Sequence, residues 1–366
     1  MPNQSQVFVL GSDGNLWFEQ GPFGNVAQTI RTRQQVDGSV TNLYSQVGEN
    51  RIWRPSFQAI SATEIFVLGT DGNLWQEFGG KTWTVPLTIA NRSQVDSSVE
   101  TFQVLDTNTV FVLGTDGNLW LETGPFGNVS QTVANRKQVD GSVLAFQALD
   151  VNTVFVLGTD GNLWLETGPF GNVSESNSRR LQVDGSVIQF WAMSLGEVYV
   201  LGSDLNLWYE PGPFGNLNIT QSNRTQIDAN VNDFQGLRLS SEAGSSINGS
   251  SADVIFILGH DGNLWMVQGP YNGVAHTVAT RQFVEENVIS FGALNTSEMY
   301  LIDGNLNLWY ETTPFGSQNR QQVDGNAVAC QPLYSESLFA KHGRHPFARA
   351  KMLQKMGANV PTKERV

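Results

Sequence analysis

From Val143 to Gly168 the chain reads VLAFQALDVNTVFVLGTDGNLWLETG, in which β-branched and aromatic residues fall in runs of strand length broken by Asp-Val-Asn and Asp-Gly-Asn. Short apolar runs bounded by turn residues predict strands rather than helices. VLAFQAL is expected as an innermost strand, VFVLG and NLWLE as the next two, and RKQVDG as an outer edge or connection. The Asp160-Gly161 pair predicts a two-residue hairpin turn, because Gly accepts the positive φ of primed turns.

This pattern recurs along the chain. The stretch from Val110 to Ser130 is repeated without change from Val154 to Ser174, and looser copies complete a set of seven. The tryptophans of the NLW motif, Trp17, Trp75, Trp120, Trp164, Trp208, Trp265 and Trp309, are spaced 58, 45, 44, 44, 57 and 44 residues apart. A period near 44 built of strands predicts an all-β, seven-bladed β-propeller with four strands per blade. The chain opens on a second strand (Val7 onward), and Arg320 to Leu333 supply the inner strand that the first blade lacks. The ring is therefore expected to close by pairing of the N- and C-terminal strands, which removes a free sheet edge.

The expected organisation is a propeller over residues 1–334 and a tail over 335–366 that is disordered or forms a short helix near Pro346 to Met356. The tail has seven Lys or Arg against two acids, so removing its +5 from the net −13 leaves the propeller at −18. Such a surface repels phosphate backbones and anionic lipid, which argues against nucleic acid and membrane partners. One cysteine, Cys330, and an N-terminus without a basic segment followed by an apolar one predict a cytoplasmic protein. The Asn128-Val129-Ser130 and Asn218-Ile219-Thr220 triplets are expected as surface turns.

Each copy carries an Arg in R-x-Q-V-D (Arg33, Arg92, Arg136, Arg180, Arg224, Arg281, Arg320) followed by an acid, and all but the sixth carry Glu after the Trp. Two roles fit this set. It ties neighbouring blades together, or its aromatic face, guanidinium and carboxylate hold a sugar.

The DGNLW blades resemble the lectin-like propellers, the group of the tectonins and fungal fucose-binding lectins, over residues 7–333. That resemblance implies the propeller fold and carries over no sugar-binding residue. The scaffold is also similar to fungal pathway proteins that act as cofactor-free cyclases, including hetero-Diels–Alder catalysts of tropolone sesquiterpene pathways.

Function is sought where the copies disagree. Insertions of about 14 and 13 residues fall within Ser39 to Pro55 and Leu239 to Asp253, and the first contains Tyr44, Arg51, Trp53 and Arg54. His260 replaces Ser or Thr in the turn of the sixth copy. Five inner strands have Gln at one place (Gln58, Gln103, Gln147, Gln235, Gln331), where the others have Trp191 and Gly292. A bulky aromatic and a missing side chain there predict a lopsided pocket. One-off residues Trp83, Met193, Asp233, Met266, Tyr271 and Phe283 add to the asymmetry.

The expected ligand is a small, flat, partly apolar molecule at the channel mouth, bound by Trp53, Trp191, Tyr44, Tyr271, Phe283 and Met266. His260, Arg51, Arg54 and Asp233 are the candidate catalytic residues, and the expected chemistry is cofactor-free cyclisation or cycloaddition. The alternatives are a multivalent lectin for carbohydrate and a protein-binding scaffold. No phosphate loop, nucleophile elbow or zinc-protease motif is present, the Thr-Asp-Gly-Asn turns lack the ligands of a calcium loop, and His342 and His345 have no cysteine partner, so neither cofactor nor metal is expected.

Overall fold

The computed structural model describes residues 6–41, 46–47, 50–51, 56–238 and 253–333. Seven four-stranded antiparallel sheets form a ring. In the fourth blade the order from the channel outward is Val143–Asp150, Thr153–Gly158, Leu163–Thr167 and Leu181–Asp184. Blade 1 is assembled from both ends: Ala327–Leu333 is its inner strand and pairs antiparallel with Gln6–Gly11, with Val9 opposite Cys330. The ring thus closes inside a blade, as the position of the repeat boundary predicts.

Alternation along the second strand builds the core. In Val154, Phe155, Val156 and Leu157 every side chain is buried, because both faces of the strand meet a neighbouring blade. Phe155 packs on Phe190 of the next inner strand and edge-on against Phe214, and Phe111 meets Phe146 and Phe170 in the same way one blade earlier.

Two local features differ from expectation. The Asp-Gly turn has three residues between a closing pair: in blade 4, Gly158 N–H donates to Asn162 O at 2.9 Å and Gly161 N–H to Gly158 O at 3.0 Å. Gly161 has φ +78°, the left-handed conformation anticipated for it. The extra residue is held by Asp160, whose carboxylate accepts from the Asn162 backbone and side chain at 3.0 and 2.7 Å.

The second difference is a seven-residue helix between the third and outer strands of blades 1 to 6, such as Val129–Asn135. Asn128 is its N-cap, accepting from Gln131 N–H, and Asn218 lies inside the equivalent helix Leu217–Asn223. Both triplets expected as plain turns therefore belong to helix starts. Each helix buries one Thr or Ser and lies against the outer strand of the preceding blade.

These connections define two faces. One bears the Asp-Gly-Asn turns and the links into each inner strand. The other bears the helices and the hairpins that leave each inner strand. Among the described residues no helix is long and apolar enough to cross a membrane.

Candidate functional site

The repeated Arg, Trp and acids form an interlocking joint. Every Arg lies over the Trp of its own blade, with the guanidinium carbon 3.8 to 4.2 Å from the ring centre. The same guanidinium reaches the outer-strand acid of the preceding blade: Arg33 to Asp324 at 3.0 Å, Arg136 to Asp96 at 3.1 Å, Arg224 to Asp184 at 3.1 Å and Arg320 to Glu285 at 3.3 Å.

The third-strand glutamates sit under this joint. Glu19, Glu77, Glu122, Glu166, Glu210 and Glu311 are all fully buried. Their oxygens receive no donor closer than the Arg, at 3.9 Å for Glu19, 3.8 Å for Glu122 and 3.6 Å for Glu210. Burial, and next the acid of the neighbouring blade, push the first five carboxyls up to about 9. The same causes push Glu311 up to about 8. With their carboxyls raised above neutrality, these six Glu keep their protons at pH 7, packed beside the acid of the neighbouring blade. The ring face that Arg covers and the buried Glu are thus engaged within the protein.

A second set of ties lies at the channel. The side-chain amides of Gln331, Gln58, Gln103, Gln147 and Gln235 each donate to the C=O and accept from the N–H of a single residue on the following inner strand. The receiving residues are Ala59, Val104, Ala148, Ala192 and Ala293, at 2.6 to 3.2 Å. The Gln residues are buried. They satisfy backbone groups that the innermost strand would otherwise leave at a bare sheet edge.

Symmetry breaks at two of these ties. Between blades 7 and 1, Gly292 holds the Gln position and the receiving residue is Pro332, which has no N–H. Between blades 5 and 6, Trp191 holds it and the receiving residue is Gly236. Half-buried, Trp191 packs with Met193 against a cluster that includes Tyr199, Phe234 and Ile255. On the adjacent inner strand Asp233, also half-buried, accepts from Gln189 Nε2 at 2.7 Å and from Phe234 N–H at 2.8 Å.

The first insertion arrives at the same place. Its Gln46–Val47 and Asn50–Arg51 segments pair as a small hairpin. The backbone of Asn50–Arg51 comes within 8 Å, Cα to Cα, of the inner strand Val187–Ser194 of blade 5. The insertion precedes blade 2, whose inner strand adjoins those of blades 1 and 3, so this approach crosses the channel.

His260 is exposed on the turn of blade 6, and its backbone N–H donates to Asn230 O at 3.2 Å, just ahead of the strand carrying Asp233. The structure therefore brings Trp191, Asp233 and the Arg51 backbone to the channel side of blades 5 and 6, with His260 on the turn face above. Tyr44, Trp53 and Arg54 lie outside the described residues.

Three other candidates stand elsewhere. Tyr271 sits toward the helix face between blades 5 and 6, its hydroxyl 2.9 Å from that of Tyr199 and its ring against Tyr199 and Tyr209. Met266 packs among Phe256, Trp309 and Phe315 between blades 6 and 7. Phe283 is 50% exposed on an outer strand and meets Trp265 edge-on at 5.3 Å. In five other blades its place is taken by a Gln bonded to the turn Asn, as in Gln35 to Asn15 at 2.9 Å.

Sequence reasoning missed Gln189 and Gly236. The signal for Gly236 was present, since every other residue at its position is Ala, Val or Pro.

No protein-family model matches the sequence, and no curated protein does. Solved structures similar to this chain include the WD40 β-propeller domain of Doa1, at 10% identity and TM-score 0.44, covering 74% of this chain and 83% of that one. BamB from Moraxella catarrhalis is similar at 12% identity and TM-score 0.45, covering 84% and 82%. The computationally designed protein Ika8 matches at 11% and 0.44, covering 89% and 90%. At these levels the propeller assignment rests on the strand pairing itself.

Proposed function

We propose that this chain binds one small, flat, partly apolar molecule on the channel side of blades 5 and 6 and promotes its cofactor-free cyclisation. A propeller scaffold of this kind could hold small molecules or proteins. The observation that carries the narrower reading is convergence: the insertion ahead of blade 2 crosses the channel to the one inner strand that bears Trp where five others bear Gln.

In this reading Trp191 supplies a flat apolar wall. A hetero-Diels–Alder closure forms one C–C and one C–O bond from the π electrons of a diene and a carbonyl, with no atom lost. Holding the two ends in near-attack geometry accounts for up to about 7–11 kcal/mol of rate enhancement. If the diene arises by loss of water, a base removes a carbon-bound proton and an acid delivers a proton to the departing hydroxyl. Asp233 and His260 are the groups near the site able to take those roles.

Soaking crystals with flat aromatic fragments and with monosaccharides tests this reading. A single occupied position beside Trp191, lost in Trp191→Ala, is the expected result. Sugar density at several equivalent Trp/Arg joints would sink it in favour of the lectin alternative, which the Arg-covered Trp faces and buried glutamates disfavour.

A further inference from the structure

The two broken ties are not equivalent. At blade 1 the receiving residue is Pro332, so no amide could be held there by both of its groups. At blade 6 the receiving residue is Gly236, which keeps its N–H and its C=O. Gly236 stands opposite Ile255 as Ala192 stands opposite Val198 and Ala293 opposite Met299. Its two backbone groups therefore point from the sheet edge toward the channel, as those of Ala192 and Ala293 do.

Among the described residues, no side chain bonds the backbone of Gly236, although the residue is buried. Buried backbone N–H and C=O groups are nearly always paired, with protein, water or a ligand. The absence of a side chain also has a local cause. A Cβ on Gly236 would lie 2.8 Å from Met193 Sδ and 2.9 Å from the Tyr199 ring, so blade 5 packs directly on this stretch of backbone.

We infer that the N–H and C=O of Gly236 form a docking point for a ligand bearing a syn N–H and C=O pair, a primary carboxamide or a lactam, set beside Trp191. The inference rests on the single-site reading above and names the polar group that this site recognises. The chemistry is displayed five times in the same ring. At each intact tie a carboxamide meets one residue through both bonds, which requires its N–H and C=O to lie on the same side. An ordinary trans secondary amide turns its N–H away from its C=O and cannot do this. At Gly236 the protein has kept the receiving half of the tie and replaced the giving half with a flat ring, leaving a ligand to supply the carboxamide.

Benzamide and N-methylbenzamide separate the possibilities, because they share a flat ring and differ in the syn N–H. In the unliganded protein, the Gly236 amide should exchange with solvent at least about tenfold faster than those of Ala192 and Ala293, which the Gln ties protect. Benzamide should slow that exchange, appear in crystals against Gly236, and bind about tenfold or more tightly than N-methylbenzamide. Trp191→Gln, which restores the missing amide, should bring Gly236 exchange down to the level of Ala192 and remove the preference for benzamide.

Exchange at Gly236 as slow as at Ala192 in the unliganded wild type would overturn the inference, since the edge would already be satisfied. Equal binding of both compounds beside Trp191 would overturn it while leaving the pocket intact. Binding of neither there would remove the pocket reading and the inference with it.

Discussion

Replacing Glu122 by Gln should stabilise the protein increasingly as pH rises. Glu122 is fully buried beside Asp96 and the Arg136 guanidinium, 3.8 Å away, and its carboxyl is pushed up to about 9 by burial first and by Asp96 second. In the unfolded chain it titrates near 4.5. A group raised on folding contributes its full stability below the unfolded value and loses it as pH climbs toward the folded one. Between about 4.5 and 9 the wild type therefore loses about 1.4 kcal/mol per pH unit from this group alone. By pH 7 the loss is of order 3 kcal/mol. A Gln amide fills the same space, donates to Asp96 and has no proton to lose. Urea unfolding of both proteins from pH 4 to pH 8 measures the difference. The curves should meet near pH 4 and diverge with a slope of about one proton. A difference independent of pH, or a Gln variant less stable at pH 8, would refute the protonated-carboxyl account of the joint.

The same logic applied to all six buried glutamates moves the charge of the folded chain at pH 7 from the formal −13 to about −7, which a charge ladder in native electrophoresis would read directly. Gln103→Met should cost about 2–4 kcal/mol, because it leaves the buried N–H and C=O of Ala148 without their amide, and chemical denaturation checks it. Gly236→Ala should cost about 1–3 kcal/mol by driving a methyl against Met193 and the Tyr199 ring, seen as a lowered Tm. Arg136→Met should destabilise by about 3 kcal/mol, because it removes the guanidinium 3.1 Å from the buried Asp96 carboxyl, and Asp96→Asn added to it should recover part of that loss in a double-mutant cycle.

Most of the architecture was legible because it is written seven times. A 44-residue period, strand-length apolar runs and the offset of the first repeat led to the blade, the ring and its closure. What escaped were features that depend on a second blade or on a local choice of turn. The seven-residue helices have too few turns to show a period, and their one buried Thr is explained only by the neighbouring outer strand. The three-residue turn was hidden because Asp-Gly suits several loop lengths, and the choice is made by Asp160 bonding Asn162. At the channel, the alternation of Gln with Trp191 and Gly292 was visible, but its meaning was not. Only the distance from each Gln to the next strand shows it to be a tie, with Trp191 and Gly292 as missing ties.

Blade 6 and its junction with blade 5 concentrate the departures from the repeat, and they do so in a way a closed ring can sustain. At this junction the third-strand Glu is replaced by Val267, so Arg281 meets Asp228 at 3.2 Å with no carboxyl beneath it. The Gln tie is absent, and the Phe pair found between blades 4 and 5 becomes Tyr199 with Tyr271, bonded through their hydroxyls at 2.9 Å. Arg238 spans the gap as well, paired with Glu197 and lying 3.8 Å from Asp253. Polar links toward the helix face thus take over from the amide tie nearer the channel. In an open stack such an exchange would expose a sheet edge. In this ring the blade 1 sheet, shared by the two chain ends, keeps every blade between two neighbours, so a junction can give up its inner tie without opening the circle. Of the two junctions without a Gln tie, the one between blades 5 and 6 is also the one whose inner strand the inserted hairpin reaches.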